Sequence, residues 1–314
     1  MQERRSRRQG VVFAVAVILT LAILLETKWH SGPSHHSAGP TSPRSTPVSH
    51  SSAPSTPTHS STSAAPTLSP AQVRAAAVQK VASLTKGLSA GSFSLAAVNM
   101  STGATYSAGA TSGMWTASVY KLFILEILLH RAGGPLTGSQ ASEAIPMIEH
   151  SDNVAGYEEF ENAGGRSGLQ DGFADLGLKH TVAGHADPAF TITSAMDCIT
   201  LLKNLVTSGP LTSSARAYAL NLMEQVESDQ RWGVGVAADP GADFANKNGW
   251  LSIDNSNGPG ENDNGLWAVN SVGVIRIKGQ QVLMAVMTRH NPNFDSGVKL
   301  VESLAKAIKP LVAS

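Results

Sequence analysis

The stretch LWAVNSVGVIRIKGQQVLMAVMT, residues 266–288, decides the architecture. It reads as two strand patterns, Leu266 to Ile277 and Gln281 to Thr288, separated by turn signals. A third strand pattern, Phe244 to Ile253, precedes them, and a helical pattern from Val298 to Val312 closes the chain. Further upstream the periodicity is helical. Ser118 to His130 reads as a buried helix, and Ala141 to Glu149, Val154 to Asn162, Gly168 to Leu176, Ser194 to Ser208 and Ser213 to Glu227 read as further helices. Strand patterns return near the start of the folded part. Ser92 to Val98 and Ala104 to Ser107 form a hairpin around Ser101-Thr102-Gly103. Ahead of it, Ser69-Pro70 is a cap and first-turn proline for a helix over residues 71–86. Two strands, many helices, three strands and a last helix are most simply built as an α+β fold. Both ends of the domain form one antiparallel sheet flanked by helices, and an all-helical part is inserted beside it. A cleft is expected where the two parts meet.

The first 67 of the 314 residues differ in kind from the rest. They hold six basic residues against two acidic, leaving seventeen against twenty-one in residues 68–314. A mildly acidic folded domain lacks the clustered basic surface that nucleic acid requires, so no nucleic-acid partner is expected. Arg4 to Arg8 form a basic cluster, and Val11 to Leu25 are apolar apart from Thr20. No small-x-small cleavage site follows, and Trp29 suits a membrane interface. Residues 1–30 therefore read as an uncleaved single-pass anchor with the rest of the chain outside the cell, and secretion after cleavage is the alternative. Residues 31–67 are almost wholly Ser, Thr, Pro, Ala, Gly and His, the composition of a disordered spacer. Residues 68–314 are the single folded domain. The lone Cys198 excludes an intramolecular disulfide and reads as a small buried hydrophobe.

Three short motifs carry chemistry. Ser118-Val119-Tyr120-Lys121 puts a serine and a lysine on one side of a helix start, where the amine can take the hydroxyl proton. The helix N-terminus favours developing negative charge. Ser151-Asp152-Asn153 follows the helix that ends Met147-Ile148-Glu149-His150, and on its own it is equally a cap or turn. Lys247-Asn248-Gly249 leads into Trp250 on a strand pattern, and on its own it is equally an exposed edge-strand lysine. In this order the three motifs form a set: S-x-x-K, S-D-N, then a lysine and a glycine on a late strand.

With that set, the chain resembles the class A β-lactamase-like serine hydrolases of the β-lactamase/penicillin-binding protein superfamily. The resemblance spans roughly residues 71–313 and takes in Trp115-Thr116-Ala117-Ser118 and Thr191-Ile192-Thr193-Ser194-Ala195-Met196. It implies catalytic roles for Ser118 as acylated nucleophile, Lys121 as its base and Ser151 as proton relay to the departing nitrogen. It implies that Asn153 orients the substrate amide and braces Lys121. Lys247, Asn248, Gly249 and Trp250 would hold the substrate, with the N–H groups of Ser118 and Trp250 as oxyanion hole. It implies no metal or other cofactor, and a β-lactam or a peptidoglycan-derived peptide as partner.

Two positions depart from the family pattern. Asn248 stands where the family has a threonine or serine hydroxyl for the substrate carboxylate, and its amide is expected to donate there instead. No glutamate lies between Glu161 and Glu224, where the family keeps the base that activates the deacylating water. His185 and Asp187 are the substitutes on offer, although Asp187-Pro188 reads first as a turn with a capping aspartate. Three functions follow as expectations: a β-lactamase-like hydrolase slowed at deacylation, a penicillin-binding D-Ala peptidase or esterase, and a catalytically idle surface binder.

Overall fold

A computed structural model describes residues 68–185, 187–253 and 264–313. The anchor and spacer readings of residues 1–67 lie outside the described residues. Among the described residues no helix is long and apolar enough to cross a membrane.

Among the described residues seven strands run in chain order as β1 (Phe93–Asn99), β2 (Thr105–Gly109), β3 (Met114–Trp115), β4 (Ile192–Thr193), β5 (Ala245–Ser252), β6 (Trp267–Ile277) and β7 (Gln280–Asn291). Five of them form an antiparallel sheet in the order β2-β1-β7-β6-β5, so both ends of the domain do build one sheet. The β6–β7 connection is Lys278-Gly279, both with positive φ (52° and 73°), the two-residue geometry that matches the twist of the strands it joins.

The apolar run in β7 has a physical cause. Leu283, Ala285 and Met287 enter the core on the helical side, while Val282, Met284 and Val286 enter the core on the opposite face. A sheet covered on both faces needs no polar alternation.

The helices are α1 (Pro70–Leu84), α2 (Tyr120–Ala132), α3 (Gly138–Glu149), α4 (Asn153–Asn162), α5 (Gly165–Asp175), α6 (Ala195–Val206), α7 (Ser213–Glu224) and α8 (Phe294–Val312). Tyr120 through Leu129 of α2 are all buried, as a helix enclosed by others requires. Each fully buried large apolar side chain there contributes about 2 kcal/mol. Across the sheet, α8 buries Val301, Leu304, Ala305, Ile308 and Leu311, the spacing of one helical face. It lies close because Gly297 has no side chain; a Cβ there would sit 2.4 Å from Val269 Cγ2.

The structure adjusts several sequence-based limits. α8 starts four residues before Val298 because Asn293 and Ser296 form a capping box. α5 starts three residues before Gly168, after Gly164 at φ 91°. α7 stops at Glu224 rather than Glu227. The two-residue pairing of β3 with β4 is not evident from the sequence pattern, because neither piece is long enough to show alternation. Cys198 is fully buried against Met287.

Candidate active site

Ser118 sits in a 3-10 turn, Ala117–Val119, just ahead of α2 rather than in the α-helix itself. The turn is strained: Ala117 has φ 44°, a conformation that costs a non-glycine residue about 1–3 kcal/mol. It is held from two sides. Thr116 N donates to Thr191 O at 2.9 Å. Asn270 Nδ2 on β6 donates to Trp115 O at 2.8 Å and Thr116 O at 3.1 Å. Asn270 faces Gly249 across the β5–β6 ladder. A Cβ on Gly249 would lie 2.7–2.8 Å from Thr116 O, Val119 N and Ser118 N. Only glycine lets β5 come this near the turn, and the approach brings Ser118 N against Gly249, the residue before Trp250.

Lys121 is the centre of the site. Its Nζ lies 3.1 Å from Ser118 Oγ, 2.7 Å from Ser151 O, 2.8 Å from Asn153 Oδ1 and 3.4 Å from Ser151 Oγ. The side chain is fully buried. Burial lowers its pKa to about 7, against the opposing pull of the Asp152 and Asp187 charges. As an ammonium it donates three bonds. As a neutral amine it keeps its two shortest, to Ser151 O and Asn153 Oδ1, and turns its lone pair to Ser118 Oγ. That is the arrangement a base for the serine proton needs. The aliphatic stem runs under α4 at Gly156, where a Cβ would lie 2.6 Å from Lys121 Cε.

Ser151 has φ 57°, again left-handed and strained. Asp152 next to it caps α4 by accepting from Ala155 N at 2.8 Å, which places the exposed Asn153 at the cleft. Lys247 Nζ reaches Ser151 Oγ at 2.7 Å and Asn248 O at 3.1 Å. Although β5 is the edge strand, Lys247 is fully buried, so the exposed edge-strand alternative does not hold. Burial and the charge of Lys121 push its pKa well below the ordinary lysine value.

The expectation for Asn248 is corrected. Its side chain is buried and donates to Gln230 O at 2.7 Å and Trp232 O at 3.1 Å. The amide is engaged with the segment behind β5 and is not offered to a substrate carboxylate. The Trp250 ring also lies outside the cleft, 5.6 Å from the Phe294 ring and 6.0 Å from that of Trp232, so only its backbone belongs to the site.

The loop before α6 is differently built. Asp187 accepts from Ala189 N at 2.8 Å and so caps its own turn. Asp187 and His185 are both exposed. The loop is pinned by Asp197, which accepts from His180 N and Thr181 Oγ1, each at 2.7 Å. Asn270 and Gly156 were not singled out in the sequence. For Asn270 a signal existed: Asn270-Ser271 is a polar pair between the apolar stretches Leu266–Val269 and Val272–Ile275.

A model of the beta-lactamase enzyme family matches residues 144–311. No curated protein matches the chain in sequence. Among solved structures, PBP-A is 20% identical with a TM-score of 0.61, over 75% of this chain and 94% of its own. A variant of PBP-A has been solved as an acyl-enzyme complex with penicillin G. TLA-3 extended-spectrum β-lactamase is 15% identical with a TM-score of 0.63, over 76% of this chain and 100% of its own. A class A β-lactamase from Bacteroides cellulosilyticus is 14% identical with a TM-score of 0.62, over 77% of this chain and 98% of its own. At these identities the structures speak for the fold. The family match begins downstream of Ser118 and Lys121, and the hydrogen bonds around Lys121 Nζ tie those two residues to Ser151 and Asn153 inside it. The chain belongs to the beta-lactamase enzyme family.

Proposed function

We propose that the protein is a serine acyl-transfer enzyme that opens β-lactams through Ser118 and then holds the acyl group. The observation that carries this reading is the buried Lys121 amine, with its pKa lowered to about 7, set between Ser118 Oγ and Ser151. Ser118 Oγ attacks the lactam carbonyl carbon while its proton passes to Lys121 Nζ. The oxyanion is received by the N–H groups of Ser118 and Trp250. As the C–N bond breaks, Ser151 Oγ gives its proton to the departing nitrogen and is reprotonated through Lys121. Lys247 holds Ser151 and attracts the substrate carboxylate, and Asn153 orients the acyl amide.

Deacylation is the slow half. No glutamate lies between Glu161 and Glu224, and Asp187 is occupied with its own turn. The penicillin G acyl-enzyme of the PBP-A variant supports a reading in which the adduct persists. The same reasoning favours a peptidoglycan-type peptide as the physiological acyl donor. The basic cluster and apolar run of residues 4–25 support a membrane tether, with residues 31–67 as the spacer.

Intact-mass measurement of the full chain with benzylpenicillin tests the reading. A one-to-one adduct that persists for hours and is absent in Ser118→Ala is expected. No adduct at any time would sink it, and rapid product release would replace slow deacylation by ordinary β-lactamase turnover.

A further inference from the structure

Behind β5, on the face away from Lys247, a closed circuit of hydrogen bonds passes through one buried residue that the chemistry above does not use. Gln230 Nε2 donates to His150 O at 2.9 Å, on the residue immediately before the strained Ser151. Gln230 O accepts from Asn248 Nδ2 at 2.7 Å and from Asn246 Nδ2 at 3.1 Å. Those two asparagines flank Lys247 on β5, and Lys247 Nζ closes the circuit on Ser151 Oγ at 2.7 Å. Gln230 is 6% exposed, and Asn246 and Asn248 are fully buried. The adjoining Glu227 N donates to Glu149 O at 3.1 Å, so the backbone of this segment is also joined to the α3 end.

We infer that Gln230 is a positioning residue that fixes the Ser151 turn against the Lys247 strand, with Asn248 as its partner strut. The inference rests on the acyl-serine reading and deepens it. Ser151 and Lys247 come from separate elements, and among the described residues their direct link on the cleft side is one bond between a long side chain and a strained residue. Gln230 spans the same gap from behind, one end on each element. The arrangement also gives asparagine at position 248 a purpose. A threonine hydroxyl has one proton and a shorter reach, whereas the amide holds the carbonyls of both Gln230 and Trp232. Asn248 is then a support for the proton route rather than a weakened substrate contact.

Three variants of the full chain test this. Gln230→Met keeps volume and loses the donor. Its rate of Ser118 acylation at saturating benzylpenicillin is expected to fall about 10- to 100-fold through misplacement of Ser151, while the dissociation constant of the reversible complex changes less than about two-fold. An unchanged acylation rate, or weakened binding that accounts for the whole loss, overturns the inference. Gln230→Glu is the conservative variant. Its acylation rate relative to the unaltered protein should climb as pH falls from 8 to 5, since a protonated carboxyl donates to His150 O again; a flat ratio overturns the inference. Asn248→Thr should acylate more slowly, and faster acylation would reassign position 248 to substrate binding. A further readout stands apart from acylation. In 15N-lysine spectra the Lys247 titration should move toward ordinary lysine in Gln230→Met, and an unmoved titration overturns the strut even if the unaltered protein is never acylated. In that last case the acyl-serine reading fails by itself.

Discussion

The two walls of the cleft are built to different standards. On one wall, Lys121 and Lys247 are fully buried, and Ser118, Ser151 and Asn153 are joined to them by bonds of 2.7–3.1 Å. On the other, residues 185 and 187 are exposed, and the Asp187 carboxylate is taken up by its own turn. The first wall is preorganised for proton transfer in a water-poor setting, where fixed dipoles act most strongly. Among the described residues the second offers no carboxylate that is buried in the same way. A serine nucleophile needs a wall of the first kind to attack a carbonyl and become an ester, and a water needs one of the second kind, furnished with a base, to release it.

The largest expected effects break the first wall. Lys121→Met should lower the acylation rate by about 10²–10⁴, the worth of a positioned general base, measured by stopped-flow with a chromogenic cephalosporin. Gly249→Ala comes next, because its Cβ would meet three backbone atoms of the Ser118 turn at 2.7–2.8 Å. About 10² in acylation rate should be lost with near-normal secondary structure by circular dichroism. A pH profile sharpens the assignment of the base. In the proposed mechanism Lys121 acts as the neutral amine, and burial lowers its pKa to about 7, so acylation should rise with pH through that region and then level off. A rate independent of pH from 5 to 9 would remove Lys121 from the role. Replacing the second wall should do little. Asp187→Asn and His185→Gln are each expected to change adduct lifetime by less than about three-fold, since both side chains are exposed and Asp187 accepts from Ala189 N of its own turn rather than being held toward the site. A ten-fold longer lifetime in either variant would identify the water-activating group.

The smallest effect lies away from both walls. Glu126 on α2 is fully buried, with no hydrogen-bond partner of good geometry for either oxygen and the Asn204 amide as its polar neighbour. Burial raises its pKa well above the usual carboxylate range, so the folded protein keeps the proton. Its unfolded value is about 4.3. The linked stability is therefore whole below that pH and is lost as pH rises from there toward the folded pKa. Glu126→Leu should raise the thermal midpoint at pH 8 by a few degrees, about 1–2 kcal/mol, and by clearly less at pH 4. An equal shift at both pH values would contradict a buried neutral acid.

Much of this was legible in the sequence. Strand and helix order sufficed for the sheet, because a two-ended sheet leaves apolar runs at both termini of the domain. Serine and lysine three residues apart sufficed for the contact of Lys121 Nζ with Ser118 Oγ, since helical spacing carries across three residues. What the sequence did not carry was direction across the strand. Asn248 was placed toward the substrate, yet its amide points to Gln230 and Trp232 on the other face. Local spacing cannot say what lies behind an edge strand. Asn270 and Gly156 escaped for the same reason, because each matters only through a neighbour more than thirty positions away in the chain.

The left-handed residues at the site, Ala117 and Ser151, have a consequence for how the molecule comes together. Neither conformation is stable by itself. Ala117 is held in part by Asn270 from the sheet, and Ser151 by contacts that include Lys247 from the sheet. The nucleophile should therefore become competent only once helical part and sheet have docked, late in refolding. A fluorescent penicillin added at intervals during refolding would then act as a clock for docking, labelling Ser118 after the far-ultraviolet helical signal has already returned.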